Sequence, residues 1–313
     1  MTRDYQAMAI QAFGEPGVLK PISLAYPTVA GDEVLVKVLS AAINPIDVKT
    51  RAGIGFAAEQ NKHNLPLALG YDLYGEVVEC GEQVAGLQGG DLVMGMVGFA
   101  AHPGTYAQYA KARGNELIKV DKESAEPVLA GLCLAGLTAF QAINKLECPK
   151  SLPLYVNGAN GSVGSLALQI AANMGYRVVA ITRSALPQEL ADRFEQISYD
   201  DFVKSSAKRY LLDVVGMEVG MHCLQGLSAQ SVMVTVPTLS QAQIIAAAQE
   251  QRVQAKGVLV VKNTSQLQRL YSWYCQDKLK LAHRCMPLST AGVAHQQIEQ
   301  NSSKEKVILL PWS

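Results

Sequence analysis

Three glycines stand at intervals of three in Asn157-Gly158-Ala159-Asn160-Gly161-Ser162-Val163-Gly164, directly ahead of Ser165–Met174, a run of helical composition. Glycines at that spacing let a chain turn tightly, bring backbone N–H groups up to an anion, and pack a new helix close to a sheet. The flanks agree with this use. Leu154-Tyr155-Val156 reads as a strand entering the turn, Gly175-Tyr176 as a helix stop, and Arg177-Val178-Val179-Ala180-Ile181 as the next buried strand. The segment reads as the phosphate-binding turn of a dinucleotide-binding βαβ unit. Gly158 and Ala159 form the bend, and Gly161, Ser162 and Val163 are expected to present backbone donors. A purely structural βα turn is the alternative.

The end of the second strand bears on which dinucleotide is held. A site for the unphosphorylated cofactor usually places Asp or Glu there, about 20 residues past the glycines, against the ribose hydroxyls. This chain has Thr182-Arg183-Ser184, and no carboxylate follows until Glu189. A guanidinium grips a phosphate with two parallel hydrogen bonds, so the residues favour NADPH. Arg183 as a solvated strand-end residue is the bland alternative.

Composition narrows the partners. A chain of 313 residues has room for two domains. Its 27 basic and 27 acidic residues cancel, leaving no electrostatic footprint for nucleic acid or an anionic membrane. No signal-like apolar core follows Met1-Thr2-Arg3-Asp4, and no later apolar run is expected to reach the ~18 residues of a membrane span, so a cytoplasmic protein acting on small molecules is expected. The six cysteines are scattered without a CxxC pair, and the five histidines are equally dispersed. No metal site is expected. Cys133 and Cys223 lie in apolar segments and read as core residues.

The elements that must position the turn fall into two regions. Up to about residue 120 the chain shows short strands separated by turns, at Ala7–Ile10, Glu33–Leu39, Tyr74–Glu79 and Asp91–Gly95. From about Glu123 helices alternate with buried strands: a helix over Ala125–Lys145, the glycine turn, and inner strands at Leu211–Gly216, Ser231–Val236 and Val258–Val261. An amphipathic helix follows at Ser265–Tyr274. A terminal strand at Lys306–Leu310 is expected to return to the first region. The fold class is α/β with a parallel sheet.

In order along the chain stand Asn44-Pro45-Ile46-Asp47, Gly70-Tyr71-Asp72-Leu73-Tyr74-Gly75-Glu76-Val77, Gly90-Asp91-Leu92-Val93, Gly104-Thr105-Tyr106-Ala107-Gln108-Tyr109, Gly136-Leu137-Thr138-Ala139, the glycine turn, Asp213-Val214-Val215-Gly216, and Ala294-His295-Gln296-Gln297-Ile298-Glu299. This set resembles the zinc-independent quinone oxidoreductase branch of the medium-chain dehydrogenase/reductase superfamily, over nearly the whole chain. The resemblance implies a GroES-like β-barrel catalytic domain from residues 1–122 and 266–313. Into it is inserted a doubly wound Rossmann domain from residues 123–265, with the active site between the two. It also implies a homodimer. Zinc-dependent relatives carry Cys and His ligands in the Asn44–Asp47 segment and a four-cysteine lobe near residues 95–115; this chain has neither.

By the same resemblance Asn44 is expected to meet the nicotinamide ribose or the substrate, Thr138 the carboxamide, and Tyr199 the adenosine 2′-phosphate. Leu259 and Val260 are expected at the nicotinamide end. Tyr71 is a candidate proton donor and Asp47 a candidate pocket-shaping acid. Each keeps a structural alternative: an Asx turn at Asn44-Pro45, helix packing for Thr138, a strand-edge aromatic for Tyr199, and a core strand for Leu259 and Val260. The implied activity is hydride transfer from NADPH to a quinone or an α,β-unsaturated carbonyl. A 2-enoyl thioester reductase and an NADPH-binding regulatory protein with little turnover are the alternatives.

Overall fold

The computed structural model describes residues 4–300 and 304–313. Its contacts divide the chain into two compact units. One contains the residues up to Leu134 together with Val261–Cys275 and Leu281–Ser313; the other contains Ala135–Val260 and Gln276–Lys280.

The first unit is built on a long strand, Glu33–Ala42, that pairs antiparallel with Asp72–Cys80, Tyr109–Arg113 and the terminal strand Lys306–Leu310. Alternate residues Val34, Val36 and Val38 point into one core with Leu73, Val77 and Val93, the period-2 pattern of a strand with a buried face. The terminal strand sits in register with Ile308 opposite Ala42 and Leu309 opposite Ala41. It runs parallel to His283–Pro287 on its other side.

The second unit holds a six-stranded, all-parallel sheet in the order Glu195–Ile197, Val178–Ile181, Leu154–Asn157, Tyr210–Asp213, Val232–Thr235, Gln254–Gly257. In chain order this is 3-2-1-4-5-6, the doubly wound arrangement whose strand order reverses beside the first strand. Four of these strands are four-residue runs with few or no exposed positions, because helices cover both faces of a parallel sheet. One core of this unit joins Ile181, Phe202, Leu211, Met233 and Ile244.

Two sequence expectations change. The last parallel strand is Gln254–Gly257 rather than Val258–Val261. Pairing with Val232–Thr235 ends at Gly257, and the Gln241 side-chain amide then reaches the carbonyls of Thr235, Val236 and Val258 at 3.1–3.2 Å, closing the sheet end. Secondly, the 18-residue helix Leu129–Leu146 has the length and apolarity to cross a bilayer, which the sequence reading did not anticipate. Of that segment 83% is buried inside the protein, as in a core helix. Cys133 and Cys223 are fully buried.

Candidate functional site

The glycine turn lies at the carboxyl end of the strand Leu154–Asn157 and opens the helix Ser162–Asn173. Gly158 has φ +84°, and a Cβ there would stand 2.6 Å from Val215, so only glycine fits both the backbone and the space. At Gly164 a Cβ would stand 2.1 Å from the carbonyl oxygen of Gly158. The helix therefore packs onto the turn at backbone contact. The Gly161 N–H is donated to Gly158 O at 3.0 Å, which removes it from the expected donors. The first intrahelical bond is Ser165 N–H to Gly161 O, leaving the N–H groups of Ser162 and Val163 at the positive end of a 12-residue helix.

A buried polar network holds this turn. Asp213 Oδ1 accepts Asn157 Nδ2 at 2.8 Å and the backbone N–H groups of Val215 and Gly216 at 3.1 and 2.9 Å; its Oδ2 accepts Thr235 Oγ1 at 2.8 Å. Tyr199 donates its hydroxyl to Asn157 Oδ1 at 2.6 Å. One carboxylate thus ties together the turns after two neighbouring strands. Asn160 Nδ2 reaches Ser184 O and Oγ at 3.0 and 3.2 Å, joining the turn to the Thr182-Arg183-Ser184 segment.

Beside this junction lies a cavity of about 440 Å³ lined by Thr182, Arg183, Ser198, Tyr199, Asp200, Glu218, Val219 and His222. Tyr199 opens the short helix Tyr199–Val203 and is not on a strand edge. Burial pushes its phenol up to about 12, so it stays neutral. The structure brings Arg183 and Tyr199 to one cavity. It adds Ser198, Asp200, Glu218 and His222, which sequence reading missed. Glu218 and His222 are four apart on the helix Met217–Leu224, a spacing that puts both on one face. That spacing was the available signal. Thr138 is buried, and its hydroxyl has no hydrogen-bond partner among the described residues. Val260 is buried, whereas Leu259 is 54% exposed.

In the first unit the Asn44–Asp47 segment forms the start of the helix Pro45–Arg51, with Asn44 as its cap residue. Asp47 Oδ2 accepts the Asn44 backbone N–H at 2.8 Å, the return half of a capping box. The Asn44 side chain does not complete the box. Its Oδ1 accepts Lys306 Nζ at 2.6 Å, and its Nδ2 donates to Asp72 Oδ2 at 2.8 Å. Asp72 Oδ1 also accepts Leu134 N–H at 2.9 Å. Tyr106 donates to Asp47 Oδ2 at 3.2 Å and lies 3.2 Å from His295 Nε2. All of these side chains are buried. Arg51, also buried, forms an ion pair with Glu299.

This geometry changes two expectations. Both ends of the Asn44 amide are already engaged inside the protein, which makes Asn44 a hub of the buried network rather than a ready ligand donor. Tyr71 is fully buried, donates its hydroxyl to Ala100 O at 3.0 Å and packs edge-on against Phe99. Burial raises its phenol well above the usual range. As a proton donor it is committed elsewhere.

Burial raises Asp47 to about 7, and Asp72 to about 6 against the pull of Lys306; burial lowers Lys306. Burial, and then the Arg51 charge, lowers His295 to about 3. The signs differ. A carboxyl raised on folding adds stability that is complete below its unfolded value of 3.8 and is lost as pH rises through its folded value. His295 acts oppositely, losing stability as pH falls below 6.5 toward 3. The contribution of Asp47 is isolated by Asp47→Asn: the melting temperature of the variant relative to the native chain is expected to rise between about pH 4 and pH 7 and to level off above. A difference that is flat over that window would overturn the assignment.

The alcohol dehydrogenase GroES-like domain matches residues 30–122. The quinone oxidoreductase from Coxiella burnetii is 34% identical and superposes with a TM-score of 0.92 over 98% of this chain and 99% of that one. A 2-methylene-furan-3-one reductase from Solanum lycopersicum is 34% identical over 194 residues, 60% of this chain and 49% of that protein. A chloroplastic NADPH-dependent alkenal/one oxidoreductase from Arabidopsis thaliana is 32% identical over 230 residues, 70% and 58% of the two chains. The chain spans about half the length of the curated relatives it matches.

Proposed function

Because this chain belongs to the quinone oxidoreductase-like group of the medium-chain dehydrogenase/reductase superfamily, we propose that it is a zinc-independent, NADPH-dependent reductase of quinones or α,β-unsaturated carbonyls. The observation that carries the reading is the glycine turn. Its backbone closes to contact distance at Gly158 and Gly164, and the N–H groups of Ser162 and Val163, without a partner among the described residues, stand where a pyrophosphate is bound in this fold.

The residues fit a phosphorylated dinucleotide. Ser162 and Val163 would hold the pyrophosphate, Arg183 the 2′-phosphate, and the unpartnered Thr138 hydroxyl the carboxamide. When bound, NADPH supplies the hydride. An electron-poor acceptor needs modest electrophilic help, so positioning carries most of the rate. The proton that completes reduction is assigned to water, since the Tyr71 hydroxyl is buried and donated to Ala100 O.

The test is a fluorescence titration with NADPH and with NADH, followed by addition of a naphthoquinone or an alkyl enone. The expected result is tighter binding of NADPH and its oxidation by at least one acceptor. Tight binding without oxidation across quinones, enones and enoyl thioesters would overturn the reductase reading while leaving the nucleotide site in place. Tighter binding of NADH would overturn the phosphate assignment.

A further inference from the structure

We propose that His222 is the second phosphate-gripping side chain of the cavity beside the glycine turn, acting with Arg183 and gaining a proton as a phosphate monoester binds. The inference rests on the nucleotide reading above and names the group that discriminates at its adenosine end.

The argument is one of donor supply. A phosphate monoester carries nearly two negative charges and three acceptor oxygens, so its partners must donate. A hydroxyl has one proton to give, and the three hydroxyls lining the cavity have each given theirs. Thr182 Oγ1 donates to Ser184 O at 2.5 Å, Ser198 Oγ to Asp201 Oδ2 at 2.7 Å, and Tyr199 Oη to Asn157 Oδ1 at 2.6 Å. Tyr199, the residue that the family resemblance placed at the phosphate, can therefore only accept. Asp200 and Glu218 as carboxylates also only accept. The side-chain donors left are Arg183 and His222, neither of which makes a hydrogen bond or ion pair among the described residues.

Charge points the same way. The charged groups facing the cavity are Arg183 from the strand end, Asp200 from the helix Tyr199–Val203, and Glu218 from the turn of helix before His222; Tyr199 stays neutral. With a neutral imidazole this set is net negative by one, which repels a dianion. Protonation of His222 balances it and adds a charge-assisted donor. Histidine is the side chain of this set that changes charge near neutral pH. Phosphate binding is therefore linked to proton uptake at His222, and binding of the same nucleotide without the phosphate is not.

The experiment needs no turnover. Binding of 2′,5′-ADP and of 5′-AMP to the full chain is measured by calorimetry in buffers of different ionisation enthalpy, for the native chain, His222→Gln and His222→Arg. The native chain is expected to take up protons with 2′,5′-ADP and not with 5′-AMP. His222→Gln is expected to abolish the uptake and weaken 2′,5′-ADP about tenfold, with 5′-AMP changed less than about twofold. His222→Arg is expected to keep the affinity without the uptake, which also shows that the helix tolerates substitution. The phosphate of the probe itself titrates near pH 6 and strengthens binding as pH rises. The histidine is therefore read as the difference between native chain and His222→Arg, with native affinity falling relative to the variant as pH rises. Equal binding of both probes to the native chain, or an unchanged preference in His222→Gln, overturns the inference while the nucleotide site stands. Failure of both probes to bind overturns the inference together with the nucleotide reading beneath it.

Discussion

Gly164→Ala is expected to weaken NADPH binding about 10- to 100-fold, although it adds a single methyl group in a helix where alanine is otherwise the better residue. The methyl would stand 2.1 Å from the carbonyl oxygen of Gly158, 2.7 Å from its carbonyl carbon and 2.8 Å from the Cα of Ala159. All three atoms are backbone, so no side chain can rotate away. Either the helix Ser162–Asn173 moves off the sheet or the turn deforms. Both displace the Ser162 and Val163 N–H groups from a phosphate, and overpacking of this kind typically costs about 1–3 kcal/mol. The measurement is the titration curve from NADPH fluorescence, with circular dichroism to show that the sheet persists. An affinity within about twofold of the native chain would mean that the turn does not carry the nucleotide.

Lys306→Met is expected to destabilise the first unit by about 3–5 kcal/mol, the usual consequence of leaving buried charges unpaired. Lys306 is 3% exposed, its ammonium donates to Asn44 Oδ1, and the Asp72 and Asp47 carboxyls are its nearest counter-charges. Removing it leaves Asp72 accepting from Asn44 and Leu134 without the Lys306 charge that offsets its own. Adding Asp72→Asn to the same chain is expected to recover part of the loss, because a neutral amide does not need the ammonium. Denaturant unfolding followed by tryptophan fluorescence is the suitable probe. Both tryptophans, Trp273 and Trp312, belong to this unit, and Trp312 is tied into it by Nε1 donating to Val38 O at 2.8 Å. A loss below about 1 kcal/mol, or none recovered by the double variant, would show that the pair is not electrostatically coupled.

How much of this was legible beforehand depends on how far apart in the chain the partners lie. The strands at Glu33–Ala42, Leu154–Asn157 and Tyr210–Asp213 and the helix after the glycine turn were readable, because alternation, apolar runs and glycine punctuation are local signals. Val258–Val261 misled for the same reason. Its apolar run is as good a strand signal as its neighbours, but the partner strand ends and the Gln241 side chain takes the carbonyls. Asn44 and Tyr71 were readable as unusual residues, and their roles were not. Whether an amide or a phenol faces a ligand or a neighbour depends on what other segments bring to it, here Lys306, 262 positions away, and Ala100, 29 away.

The sequence by itself determined the glycine turn and the parallel sheet around it. Only glycine tolerates the backbone at Gly158 and the contact at Gly164, and such a requirement is written in residue type and spacing. Tertiary structure alone decided which polar groups still have a proton or a charge to offer. Tyr199 loses its donor to Asn157, Gly161 its N–H to Gly158 and Asn44 its amide to Lys306 and Asp72, while His222 and Arg183 are brought to one cavity with theirs intact. Each buried donor serves one acceptor at a time, so its role depends on its neighbours in space, which residue type and spacing do not record.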